Sequence, residues 1–171
     1  MFLVIGILLL LTVAAGCVVS IVPTESVVDF TTDDPEMEKA ILEAAQEWTD
    51  QGVVVAARVT VNVNPKGLPI RFLTSEEMIK KCGAVKRGER TVAPDGCAHG
   101  NSSGKTDGLY IKQGLEPGRV RITLLHELMH IIGPINGHLP DGVIGIMSKR
   151  ATSSVITQAD LDFVGASTEV V

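Results

Sequence analysis

Aromatic residues are scarce in this chain, which has one Trp, one Tyr and four Phe. None is interleaved with the densest basic group, Lys80, Lys81, Lys86, Arg87 and Arg90. Positive charge is short as well, with 15 Lys and Arg against 20 Asp and Glu for a formal net charge of -5. A nucleic-acid surface needs clustered cations and stacking faces, so both shortages exclude one, and the basic group reads as a solvated loop face. There are only three Cys and no Cys-x-x-Cys pair, which argues against a cysteine-based zinc site. No internal repeat is visible, and no low-complexity block beyond the N-terminal segment. What remains is the profile of a globular protein, 45% hydrophobic and 20% charged. Its 171 residues suffice for one domain.

Residues 1–22 are almost wholly apolar and close at Pro23. Ala14-Ala15-Gly16 before Cys17 resembles a bacterial lipoprotein signal whose cysteine becomes lipidated. The same run is long enough to cross roughly 30 Å of hydrocarbon as a membrane span. Either reading puts the remainder outside the cytoplasm, anchored at the cell envelope or secreted, with membrane contact through the N-terminus only. The expected organisation is a signal or anchor over 1–22, a tether over 23–33 and one domain over 34–171. The short stretch between Pro23 and the first helix leads us to expect no latency by a pro-region. With Cys17 consumed, Cys82 and Cys97 are left as a pair whose bridge would stabilise by roughly 3 kcal/mol. Such bridges persist in oxidising compartments.

Asp34-Pro35 opens a helix, with Asp as N-cap and Pro at the first helical position. Met37, Ile41, Ala44, Ala45 and Trp48 recur at helical spacing until Gly52. Val53–Asn64 and Ile70–Leu73 read as strands, Ser75–Lys81 as a helical turn and Leu109–Lys112 as a short strand. A strong helix follows over about residues 118–132, with Val120, Leu124, Leu128 and Ile131 on one stripe. Thr157-x-x-Asp160 resembles a capping box that starts a last helix. Helix, strands, helix, loop, helix is an α+β order.

The chemistry concentrates in His126-Glu127-Leu128-Met129-His130. Residues four apart on a helix stand one above the other, so both imidazoles can reach one metal ion. Glu127 lies to the side of that pair, where it can contact a metal-bound water without ligating. His99, in a Gly-rich stretch, has no partner spacing and reads as exposed.

Gly133 and Met147 then fall where the metzincin clan of zinc peptidases has its motif, His-Glu-x-x-His-x-x-Gly-x-x-His followed by a methionine turn. His126, Glu127, His130 and Gly133 match in register, and Ile146-Met147-Ser148 resembles the turn. The clan's third ligand position falls on Asn136; the next histidine is His138, two residues late, and Asp141 is the alternative. The resemblance implies a zincin-like metallopeptidase domain with a small twisted sheet, an active-site helix and a C-terminal helix. It implies Zn2+ on His126, His130 and His138, and Glu127 as general base in a monomeric endopeptidase. By the same resemblance, a protein or peptide substrate would pair with an edge strand at Gly108, Leu109, Tyr110 and Ile111. A second reading is a non-catalytic, zinc-stabilised cell-envelope binding module. A third is another zincin with a late acidic ligand, Asp160 or Asp162.

Overall fold

The computed structural model describes residues 28–53, 55, 57–61, 67–100, 106–132 and 137–168. The apolar N-terminal run and Cys17 lie outside them, as do Gly133 and Asn136. Among the described residues no helix is long and apolar enough to cross a membrane. The structure therefore carries nothing of the membrane attachment that the apolar run suggested.

The chain is a mixed α+β domain. Strand β1 (Val28–Thr32) leads into helix α1 (Pro35–Asp50), then β2 (Ala57–Val61), β3 (Leu68–Leu73) and α2 (Ser75–Cys82). The short strands β4 (Val85–Arg87) and β5 (Arg90–Val92) form a hairpin of their own. After them come β6 (Gly96–Gly100), β7 (Thr106–Lys112), α3 (Pro117–Ile132) and α4 (Gln158–Thr168). Among the described residues the main sheet has five strands in the order β2-β1-β3-β7-β6. β1, β2, β3 and β7 run parallel, while β6 pairs antiparallel with β7.

Two sequence expectations change here. Residues 28–32 are not tether but an interior strand, flanked on both sides by β2 and β3. Its Phe30 is fully buried, and so short a strand shows little alternation for sequence reading to catch. The segment 83–100, read mostly as loop, contains three strands. Gly, Lys and Arg dilute their β propensity, so pairing rather than composition specifies them.

Helix α1 starts as its residues dictate: the Asp34 carboxylate accepts from the Glu36 amide at 2.9 Å. Its apolar stripe packs on α3, where Trp48 is fully buried and its indole donates to the Leu125 carbonyl at 3.0 Å. That bond satisfies the one polar atom of the largest core side chain. Leu124, Leu125 and Leu128 of α3 are fully buried in the same core. Truncating any one to Ala would cost about 2–5 kcal/mol. The core thus clamps α3 between α1 and the sheet, and α3 bears the histidine pair.

Candidate metal centre

One turn of α3 sets His126 beside His130, with ring centroids 4.8 Å apart and their Nε2 atoms at 3.1 Å. Tetrahedral zinc with nitrogens at 2.0–2.1 Å would separate two of its ligands by roughly 3.3 Å, so the pair is spaced for one ion. The chain past α3 returns His138 to the same point, 5.1 Å in ring centroids from each of the other two. One nitrogen from each ring lies within 4.8 Å of the others. Three imidazoles so grouped are compatible with metal coordination.

The surroundings favour the neutral, donor form of His126 and His138. His126 is buried, and burial first, then the charges of His130 and His138, lowers its pKa to about 4 despite a backbone hydrogen bond. Burial, with His130 and Lys149, also lowers that of His138. The Nδ1 of His126 lies 2.7 Å from the Ile146 carbonyl. An Nδ1–H donor there leaves the Nε2 lone pair for the metal, the usual outer support of a histidine ligand.

Sequence reasoning did not find the device that holds Ile146. The fully buried Asp160 carboxylate accepts from the Ile146 amide at 3.0 Å and the Met147 amide at 2.7 Å. It also accepts from the amide and hydroxyl of Thr157, both at 2.8 Å, while its own amide donates back to Thr157 at 3.3 Å. The reciprocal cap suggested by Thr157-x-x-Asp160 is there, but it also ties the 146–147 turn to α4. Gly145 allows this, since a Cβ there would press on Asp160 and Leu139. Backbone partners leave no trace in a sequence, which is why this link was not legible. Asp160 is therefore no late acidic ligand, and Asp162 is exposed and bonded to Gln158.

Other predicted residues land elsewhere. Asp141 has a side chain 90% exposed and pairs with Lys149 at 3.7 Å, away from the cluster that His138 completes. Met147 is fully buried core, and the carbonyl of its neighbour Ile146 lies against His126. Gly108, Leu109, Tyr110 and Ile111 lie in β7, which is flanked by β3 and β6, so they offer no free edge to a peptide. Among the described residues the outermost strand on that side is β6. His99 is in β6 and bonded to Asp107 at 2.8 Å, not a lone exposed histidine. Cys82 and Cys97 are joined, linking the end of α2 to β6, with Cα atoms 6.1 Å apart.

No protein-family model matches the chain, and no curated protein matches it either. The resemblance to the metzincin clan does not hold at the metal cluster. The three ligands follow the spacing 126, 130 and 138, which departs from the clan at the third histidine. The metalloendopeptidase reading, and Glu127 as its general base, are corrected with it. The cluster consists of imidazoles with no carboxylate among them. Glu127 is instead a buried structural link, its Oε2 accepting from the Ala98 amide of β6 at 2.8 Å. Burial raises its pKa to about 7 against the lowering effect of that bond. A buried carboxyl group that accepts from a strand amide is placed to tie α3 to the sheet.

Proposed function

We propose that the protein is a zinc-stabilised binding module of the cell envelope, in which His126, His130 and His138 hold one Zn2+. The observation that carries this reading is the convergence of three imidazole nitrogens from one helix turn and one returning segment. An all-imidazole donor set suits zinc better than hard cations, which prefer oxygen. In finer terms we read the domain as zincin-like, a mixed sheet with an antiparallel edge strand beside the metal-bearing helix. Three protein ligands leave the fourth position of zinc to water or to a donor from a bound molecule. The ion therefore joins α3 to the 138–148 segment and also presents a point of attachment.

Attachment at the envelope fits the apolar run over 1–22 and a Cys82–Cys97 bridge in an oxidising compartment. The test is to load the purified chain with zinc, measure its metal content, and incubate it with casein and a peptide library. One zinc per chain without cleavage is expected. Cleavage that a chelator stops and added zinc restores would contradict the non-catalytic reading.

A further inference from the structure

Among the described residues, Ile144 and Val155 are the most exposed large aliphatic side chains, at 67% and 59%. The loop that carries them is cross-bonded. The Gly145 carbonyl accepts from the Thr152 and Ser153 amides at 3.0 and 3.4 Å, and the Ile144 carbonyl accepts from the Thr157 hydroxyl at 3.4 Å. The Ser153 hydroxyl fixes Val155 in turn, donating to its carbonyl at 2.6 Å and accepting from its amide at 3.1 Å. Ile146, between them in the same loop, is fully buried, so the fold turns one aliphatic inward and holds these two out. A single exposed aliphatic is ordinary on a protein surface; two on one fixed loop form a patch that marks a contact with apolar surroundings.

Charge around the patch is sparse and net positive, in a chain of net charge -5. Residues 137–156 hold Lys149 and Arg150 against Asp141 alone. Both cations are exposed and line one cavity of about 420 Å³ together with Ile144. Asp141 pairs with Lys149 at 3.7 Å, so the positive charge left over is that of Arg150. The patch also lies at a particular end of the domain. Arg121 donates to the Ser154 carbonyl at 2.9 Å and pairs with Glu47 in the last turn of α1. The chain leaving α1 there enters β2 at Ala57, which stands opposite Val28, the first residue of β1. Only residues 23–27 separate Val28 from the apolar run, a stretch that reaches at most about 20 Å. Attachment of that run therefore keeps this end of the domain close to the bilayer.

We propose that this patch seats on a bilayer surface with anionic headgroups, Ile144 and Val155 entering the headgroup boundary and Arg150 meeting a lipid phosphate. This deepens the envelope reading and rests on it. Aliphatic side chains are stable at that boundary while a guanidinium stays among the phosphates. Two side chains and one cation bind weakly by themselves. The short tether raises their effective concentration at the surface, so a weak contact suffices to hold the domain in one orientation.

The zinc-loaded full chain is reconstituted with vesicles of phosphatidylcholine alone and of phosphatidylcholine mixed equally with phosphatidylglycerol, and amide hydrogen exchange over residues 142–156 is followed by mass spectrometry. Exchange there should be up to about fivefold slower on the anionic vesicles, the effect of one cation near the surface, and the difference should fade as salt rises. Arg150→Gln should remove the difference between the two lipids. The double variant Ile144→Ser, Val155→Ser should lose the protection on both. Exchange over 142–156 that the double serine variant leaves unchanged overturns the proposal. So does protection that grows with protein density at fixed lipid composition, since a second copy of the chain would then cover the patch. Metal content is read on the same samples, which tells a lost zinc centre from a lost contact. A full chain that floats with neither vesicle overturns the envelope reading and this one together. A chain that floats with both and shows no protection of 142–156 overturns this one alone.

Discussion

Asp95 shows how one side chain sets the character of its surroundings. Burial alone would raise its pKa, but the hydrogen bonds from Lys112, Arg87 and Arg119 outweigh that and hold it at about 2. Because the folded value lies below the ordinary carboxylate value of 3.8, the resulting stability is complete above about pH 4 and is lost as pH falls through 2. Asp95→Asn should therefore cost about 2 kcal/mol at neutral pH, with the gap to wild type closing on acidification. Urea unfolding of both proteins between pH 6 and about pH 2 measures it. A gap that stays constant would mean that the three cations do not act through the carboxylate charge. Nothing in the sequence marks Asp95 among the 20 acidic residues, because its partners come from β4, β7 and α3. His126 and His130 were legible for the opposite reason: their proximity follows from helical spacing alone.

At the scale of elements, local rules served well where an element carries its own signals. Helix α1 has its cap, proline and stripe in sequence, and it forms over the expected residues. Strands β1, β4, β5 and β6 could not be read the same way, since each is three to five residues long and is specified by what pairs with it. The edge of the sheet was misplaced on β7 because sheet order is a property of the assembled strands. The 146–147 turn is the element on which the metal centre leans. Asp160→Asn keeps the side chain's size but exchanges one of its acceptor oxygens for a donor, facing amides that already donate. Zinc affinity should fall roughly 10–100-fold, as when outer supports of a histidine ligand are removed. Competition titration against a chromophoric chelator reads it, and unchanged affinity would show that the turn does not orient His126.

For the whole molecule, the proposed metal site and the fold would form one thermodynamic system. A zinc ion held by the three histidines would bridge α3 and the segment after it, and would so bind the folded chain in preference to the unfolded one. Free zinc at one hundred times its dissociation constant should stabilise the domain by about 2.7 kcal/mol. Thermal unfolding with and without a chelator should show this as a Tm that climbs with zinc concentration. A Tm indifferent to zinc would separate the ion from the fold. The disulfide acts on a different part, fastening α2 to β6 and so to the far side of the sheet edge. The α+β class was readable from the order of elements. The metallopeptidase assignment was not secured by a five-residue motif, because the role of Glu127 depends on the Ala98 amide, 29 positions away.

The most direct measurement is zinc uptake by wild type and by His126→Ala, His130→Ala and His138→Ala, each titrated under the same conditions. One ion per chain is predicted for wild type, with affinity reduced at least about a hundredfold in every variant, since each supplies one of three ligands. Wild-type affinity in His138→Ala would contradict the three-histidine centre.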